Sequence, residues 1–236
     1  MCIENFAQLA SQRQPMLGQA PYCGDGVWTH WHAQGLFGLL CDGAGHGQQA
    51  ESIQQQAISL AREMIESAGS VDLLALFNAL HGCLKGSRGM VAVAFLLREN
   101  GNMDYIHIGD VSLFAVQSGR INHSNEQQGI IGYHMPTPRV QQWQCQPGEW
   151  LVMHSDGIRR STTYEQWQGL LKPGCSLSRV TLKIMCTLAD GRDDAACIVL
   201  RYWGERKQIS LDGKQGMVSP KKPLREPWRD ASGEQV

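Results

Sequence analysis

A chain of 236 residues, with 42% apolar and 18% charged side chains, can build one substantial core, which excludes a disordered or fibrous protein. Its net charge of -1 at pH 7 predicts no nucleic-acid partner and no attraction to anionic membranes. No apolar run approaches the roughly 20 residues that span a bilayer, and the eight cysteines include no Cys-x-x-Cys pair. The start lacks the pattern of a secretory signal, so we expect a cytoplasmic protein with reduced thiols and no membrane partner.

The first half of the chain is predicted to contain two strands followed by two helices. Residues 1–24 are polar, and Pro15, Gly18 and Pro21 interrupt them, so no regular element is expected there. Ser70 is a candidate cap for the second helix. Strand-like patterns of apolar residues predict strands at 27–32 and 36–41, joined by a hairpin turn at 33–35. Apolar residues repeated every three to four positions predict helices at 48–66 and 71–85.

The second half is predicted to be rich in strands, with two further helices. The strands at 90–97, 104–108 and 112–117 are expected to form an antiparallel meander. Residues 122–146 are expected to form a loop with short strands. The complete set is strands at 90–97, 104–108, 112–117, 150–154 and 195–202, with helices at 164–171 and 177–188. This order predicts an α+β fold in one domain over residues 1–203, with a flexible C-terminal tail over residues 204–236.

Several aspartates stand where predicted strands meet glycine-rich turns. Asp42 ends an apolar run, Asp25 lies between glycines, Asp156 follows the strand at 150–154, and Asp193 precedes the last strand. A carboxylate at the end of a buried strand is costly unless it is paired or binds a cation. Several converging carboxylates form an all-oxygen site, which favours magnesium or manganese over zinc.

Simpler roles for these residues remain open. Any one aspartate in an Asp-Gly turn can merely bond to nearby amides. His46 is either a proton donor or a structural residue at the start of a helix. His30 and His32 alternate with tryptophans, which favours ordinary strand packing over a metal pair, and His154 is expected to be buried and hydrogen-bonded.

Five motifs in order resemble the metal-dependent serine/threonine phosphatases of the PPM (type 2C) family, and especially its small bacterial branch that includes RsbX and the phosphatase domain of SpoIIE. The resemblance covers about residues 20–203 and implies a four-layer αββα sandwich of two antiparallel sheets flanked by helices. The motifs are Gly24-Asp25, Asp42-Gly43-Ala44-Gly45-His46-Gly47, Gly109-Asp110-Val111-Ser112-Leu113-Phe114, Pro147-Gly148-Glu149 leading into Ser155-Asp156-Gly157, and Asp193-Asp194.

The resemblance also implies roles for individual residues. Two Mn²⁺ or Mg²⁺ ions per subunit are expected, with Asp42 and Asp156 central to catalysis. Asp110 and Asp194 are expected to support the ligands, to hold a weaker third metal ion or, for Asp194, to face the substrate. The implied metal ligands are Asp25, Asp42, the Gly43 carbonyl, Asp156 and Asp193.

The chain departs from the family pattern at two functional positions. Many members carry a phosphate-binding arginine shortly before the first aspartate, but the nearest one here is Arg13, so Arg88 or Arg192 is a candidate phosphate contact. Ala44 occupies the position of a family histidine, and His46, two residues later, is the candidate general acid.

The predicted function is hydrolysis of phosphoserine or phosphothreonine by a water that bridges two metal ions. The resemblance implies a phosphorylated regulatory protein as substrate, such as the antagonist of an anti-sigma factor in a partner-switching circuit. Two alternatives remain open: a catalytically weak phosphatase-like domain that regulates a partner by binding it, and a hydrolase for a small phosphorylated metabolite.

Overall fold

The computed structural model of the chain describes residues 6–204, which contain ten strands and four helices. In chain order these are β1 (Ala7–Gln14), β2 (Asp25–His32), β3 (Gly35–Gly43), α1 (Gly47–Ser67), α2 (Leu73–Cys83), β4 (Met90–Leu97), β5 (Asn102–Ile108), β6 (Ser112–Gln117), β7 (Arg120–His123), β8 (Gln141–Gln144), β9 (Trp150–His154), α3 (Tyr164–Leu170), α4 (Leu177–Leu188) and β10 (Ala195–Tyr202).

The strands form two antiparallel five-stranded sheets. The first sheet has the order β1-β10-β9-β6-β7, and the second has the order β2-β3-β4-β5-β8. Helices α1 and α2 pack on the outer face of the second sheet, and α3 and α4 pack on the outer face of the first. A third apolar cluster fills the space between the sheets. The predicted α+β class and four-layer αββα sandwich are therefore confirmed.

Strand β3 shows why the central strands are apolar on both faces. Leu36 and Leu40 belong to the cluster between the sheets, whereas Phe37, Leu39 and Cys41 pack against the helices. Successive side chains of a strand point to opposite faces, so a strand covered on both sides needs apolar residues throughout. The same rule accounts for β10, whose alternate residues enter the two clusters on either side of the first sheet.

Three predictions about local structure were wrong. Residues 1–24 do contain an element, because β1 pairs with β10 over eight residues as an edge strand, whose backbone bonds require no apolar pattern. The middle strands are not one meander, because β6 leaves β4 and β5 to join the first sheet. Asp72, not Ser70, caps α2, since its Oδ1 accepts the Ala75 N–H at 3.0 Å.

Two expectations concern the limits of the chain. The predicted flexible tail covers residues 204–236, and all of it except Gly204 lies outside the described residues. Within residues 6–204, none of the helices combines the length and apolar character needed to cross a membrane.

Candidate metal centre

The antiparallel pairing of β2 and β3 places two aspartates side by side at one end of the second sheet. Asp42 lies an even number of residues after Leu36 and Leu40 in β3, so all three side chains point to the face of the second sheet that packs against the first sheet. Asp25 lies opposite Asp42 in the register, and directly paired residues share one face. The two carboxylates therefore lie at the open end of the space between the sheets.

A cavity of about 260 Å³ collects the other acidic side chains at this end. Asp42 lines it together with Asp110, from the turn before β6, Asp156, which follows β9, and Asp193, which precedes β10. His46, at the start of α1, lines the same cavity. Side chains from both sheets and from four separate parts of the sequence thus meet at one place.

Asp25, which pairs with Asp42 but does not line this cavity, is held by a serine that follows β9 of the other sheet. Asp25 is 1% exposed and Ser155 is fully buried, and the Ser155 hydroxyl donates a short hydrogen bond to Asp25 Oδ2. The same hydroxyl oxygen accepts the Ala196 N–H at 2.9 Å, which leaves its own proton for Asp25. This chain of bonds fixes one carboxylate oxygen of Asp25.

Asp194 lies beside the cavity and braces the loops around it. Its carboxylate accepts the N–H of Met16 and the N–H of Gly24, both at 2.7 Å, and the residue is 3% exposed. Asp193 accepts the N–H of Asp194 at 2.8 Å through Oδ1. Asp194 therefore faces backbone amides, while Asp193 faces the cavity. We refer to Asp25, Ser155 and Asp194 as the cleft floor.

Two glycines are required by the close packing of the loops. A Cβ on Gly43 would lie 2.6 Å from the Ala50 carbonyl oxygen, so the turn can press against α1 only without a side chain. Gly45 adopts a φ of +99°, and a Cβ there would lie 2.7 Å from Arg88 Nη1. Arg88 thus reaches the turn that carries Asp42, at the edge of the cavity.

The carboxylates share a strong excess of negative charge. Desolvation, followed by the neighbouring carboxylates of Asp25, Asp156 and Asp193, raises the pKa of Asp42 to about 9. Burial raises the pKa of Asp25 to about 7 despite the opposing hydrogen bond from Ser155. Desolvation, with Asp193 and Asp110, also raises the pKa of Asp156. A cation bound among these groups would relieve both burial and repulsion.

The residues fit hard divalent cations. Within residues 6–204, no three histidine, cysteine, aspartate or glutamate side chains form a ready cage for one ion, so the carboxylates line a shared cavity wall instead. Their donors are carboxylate oxygens, with main-chain carbonyls nearby, and these suit Mg²⁺ or Mn²⁺. The donor chemistry and the unbalanced charge therefore both agree with a magnesium or manganese centre.

The arginines around the cleft differ in position. The Arg192 side chain is 89% exposed and lies 3.5 Å from Asp190, so it is directed to solvent. Arg160, which the sequence prediction did not include, lies 3.5 Å from Asp110, whereas Arg88 lies against Gly45. We refer to the exposed residues His46, Arg88, Asp110 and Arg160 as the cleft rim.

The histidines behind the cleft are structural. His154 is 2% exposed, its Nδ1 donates to the Ser155 carbonyl oxygen at 2.8 Å, and desolvation lowers its pKa to about 4. His107 bonds to the Val111 carbonyl oxygen at 2.7 Å and to the Ser124 hydroxyl at 2.8 Å. Desolvation also lowers the pKa of His107. Neither of these two rings lines the acidic cavity, whereas His46 does.

Sequence analysis missed two residues of this site. Ser155 directly precedes Asp156, but its bond to Asp25 spans 130 residues of sequence and depends on how the sheets stack. Arg160 follows Asp156 by four residues in the same loop, and that proximity was the available indication of its importance.

Comparison with known proteins assigns the chain to a family. The family model of stage II sporulation protein E (SpoIIE) matches residues 33–203, which is more than half of the chain. No curated protein sequence matches the chain.

Solved structures share the fold at low sequence identity. A structure from work on the bacterial stressosome, a modular system adapted to control secondary messenger signaling, has a TM-score of 0.73 and 24% identity, over 83% of this chain and 99% of that one. RsbX in complex with magnesium has a TM-score of 0.71 and 18% identity, over 84% and 96%. The catalytic domain of the phosphatase PstP with 2 manganese ions has a TM-score of 0.66 and 17% identity, over 84% and 99%.

These structures share the αββα architecture described above. The family match over residues 33–203 establishes that this chain belongs to the SpoIIE family of PP2C-like phosphatases.

Proposed function

We propose that this protein hydrolyses phosphoserine or phosphothreonine on a regulatory partner protein with the help of two Mg²⁺ or Mn²⁺ ions. The observation that carries the proposal is the convergence of Asp42, Asp110, Asp156 and Asp193 on one cavity between the sheets. The pKa values of Asp42 and Asp156 are raised by burial and by neighbouring carboxylates, which is the electrostatic setting of a cation site.

Each part of the site has a role in the proposed reaction. Asp25, Asp42, Asp156, Asp193 and the Gly43 carbonyl would hold the ions, and Ser155 would orient Asp25. When bound, the ions supply Lewis-acid activation of a water molecule and neutralise charge on the phosphoryl group.

Residues of the cleft rim would act on the phosphate and on the leaving group. His46 lines the cavity and would donate a proton to the departing serine oxygen. Arg88, against Gly45, would bind phosphoryl oxygens in place of the arginine that other members carry earlier in the chain. The N-terminus of α1 begins at Gly47 beside the cavity, and its dipole favours an anion there.

A protein substrate suits the shape of the site better than a small metabolite. Asp110, Asp156 and Asp193 are all exposed, so the cavity opens directly to solvent. Small-molecule pockets usually enclose most of their ligand. A phosphoserine projecting from a protein surface reaches such an open cavity. The stressosome and RsbX neighbours support a regulatory protein as substrate, such as an antagonist in a sigma-factor partner-switching circuit.

Hydrolysis of phosphoserine peptides with Mn²⁺ or Mg²⁺ tests the proposal. Wild-type protein is expected to release phosphate only when the cation is present. Asp42→Asn and Asp156→Asn are expected to lower kcat by at least about a thousandfold, since each removes a charged ligand from the centre.

Asp190→Asn is the matched control, because Asp190 lies outside the cavity and its Oδ1 accepts the Arg192 N–H, which an amide oxygen also does. Turnover in the control should stay within a factor of two of wild type. Cation-independent turnover, or full activity in Asp42→Asn, would contradict the metal-dependent mechanism. Cation binding without any turnover would instead favour a partner-binding module.

A further inference from the structure

Arg160 is a charged residue beside the cavity to which the proposed reaction assigns no task. Its Nη2 lies 3.5 Å from Asp110 Oδ2, and Asp110 lines the acidic cavity. Arg160 itself lines an adjoining cavity of about 360 Å³, to which Asp110 also belongs. The guanidinium therefore lies beside Asp110, which lines both cavities.

The backbone around Arg160 is fixed, which gives its side chain a defined origin. Ile158 is fully buried and forms an isolated β-bridge with Ala189. Thr162 is 8% exposed, and its hydroxyl donates to the Arg159 carbonyl oxygen at 2.8 Å while its N–H donates to the Arg160 carbonyl oxygen at 2.8 Å. Arg160 thus projects from a pinned turn four residues after Asp156.

The ion pair between Arg160 and Asp110 is weak enough to be exchanged. Their side chains are 45% and 55% exposed, and a half-exposed pair at 3.5 Å contributes little to stability. A phosphoryl group carries more charge than one carboxylate and accepts two parallel N–H bonds from a guanidinium. The positive charge of Arg160 also acts on Asp156, whose pKa it lowers against the surrounding carboxylates.

We propose that Arg160 is a substrate-binding residue that leaves Asp110 to bind the phosphoryl group of the substrate beside Asp110, whereas Arg88 would bind it beside Gly45. The inference rests on the proposed phosphatase function, and it adds a phosphate contact that follows the Asp156 loop in sequence. In the unliganded protein, the ion pair holds the guanidinium beside Asp110, which lines the acidic cavity.

Binding of inorganic phosphate to the Mg²⁺-loaded full chain, measured by calorimetry, tests the inference without depending on turnover. Arg160→Ala is expected to raise the dissociation constant of phosphate roughly tenfold, and Arg160→Lys to raise it less, because lysine keeps the charge but loses the bidentate contact. The KM values for p-nitrophenyl phosphate and for a phosphoserine peptide are expected to rise in parallel, with kcat changing by a smaller factor.

Arg159→Ala is the matched control, since Arg159 is an exposed neighbour on the same turn without an ion pair among the described residues. Its phosphate affinity should remain within twofold of wild type. An equal loss in both variants, or phosphate affinity within twofold of wild type in Arg160→Ala, would overturn the inference. A raised KM for the peptide alone would also overturn it, because the contact would then be to the polypeptide.

Melting temperature is recorded for every variant, and Arg160→Gln replaces Arg160→Ala if the alanine variant is not folded. Absence of turnover in wild type, with phosphate affinity still dependent on Arg160, would refute the proposed function but not this phosphate contact.

Discussion

The cleft floor and the cleft rim both carry carboxylates and other polar groups, but those of the floor are buried and those of the rim are exposed to solvent. On the floor, Asp25, Ser155 and Asp194 are each at most 3% exposed and bound to partners far away in sequence. On the rim, Asp110 and Arg160 are about half exposed and share one long ion pair.

This difference indicates a division of labour. Floor residues are fixed by the stacking of the two sheets, so they would hold the proposed metal ligands, including Asp25, in place. Rim residues are held loosely enough to exchange partners, so they are suited to meet the substrate. Substitutions on the floor should therefore change metal binding or stability, and substitutions on the rim should change substrate affinity or the leaving-group step.

Asp25→Asn is expected to have the largest effect and to separate activity from stability. Metal-dependent kcat should fall by at least about a thousandfold, because a charged ligand is lost. In chelator, the folded pKa of Asp25 is about 7 against 3.8 for a free aspartate, so its ionisation destabilises the metal-free fold increasingly as pH rises from about 4 to 7.

Asparagine has no charge, so the Asp25→Asn variant is not destabilised by ionisation at this position. In chelator, the Asp25→Asn variant should unfold at a higher temperature than wild type at pH 8, and the difference should shrink toward pH 5. Thermal denaturation at both pH values measures it. A variant that is less stable than wild type at pH 8 would show that Asp25 is stabilised as a carboxylate by the floor alone.

Asp194→Ala should lower the free energy of unfolding by about 2–4 kcal/mol, since two backbone N–H groups lose a charged acceptor. Urea denaturation in chelator measures the loss. Asp190→Ala, which removes an exposed carboxylate nearby, should cost under about 1 kcal/mol. Similar losses of unfolding free energy in both variants would mean that the hydrogen bonds of Asp194 stabilise the fold no more than an exposed carboxylate does.

His46→Ala should reveal a rim residue that acts on the leaving group. The kcat for a phosphoserine peptide is expected to fall by about 10- to 100-fold, because serine alkoxide needs a proton to depart. Hydrolysis of p-nitrophenyl phosphate should change much less, since nitrophenolate leaves without one. Equal effects on both substrates would remove His46 from the role of general acid.

Arg88→Ala should give the smallest of these effects, a rise in KM of about tenfold with kcat changed less. Arg192→Ala should leave KM unchanged, because Arg192 is 89% exposed and directed to Asp190. Steady-state kinetics with a phosphoserine peptide compare the two variants. The opposite ranking would place the phosphate contact at Arg192.

The sequence predicts elements well where burial imposes a strong pattern. The bounds of α4 and β10 agree with the prediction, because a regular apolar stripe and a continuous apolar run have few other interpretations. Strand β1 escaped prediction because an edge strand with polar side chains is held by backbone bonds to β10. The departure of β6 to the other sheet likewise depends on long-range pairing, which local alternation does not encode.

The acidic site was predictable only in part. Asp-Gly turns at strand ends indicated Asp42 and Asp156, and the two carboxylates before the last strand indicated Asp193. The fold brings these three aspartates to one cavity. The partners that orient the site were not predictable, because the contact between Ser155 and Asp25 joins two sheets. Arg160 was missed for a different reason, since its position beside Asp110 depends on a pinned turn and not on a sequence pattern.

Calorimetric titration of the metal-free chain with Mn²⁺ tests the central claim most directly. We expect two ions to bind per wild-type chain, and Asp42→Asn to lose at least one of them, with Asp190→Asn binding as wild type. The uptake should release protons at pH 7, because the pKa of Asp42 is raised to about 9 in the metal-free protein. Absence of Mn²⁺ uptake by wild type, or unchanged uptake by Asp42→Asn, would contradict the assignment of this cavity as a two-metal centre.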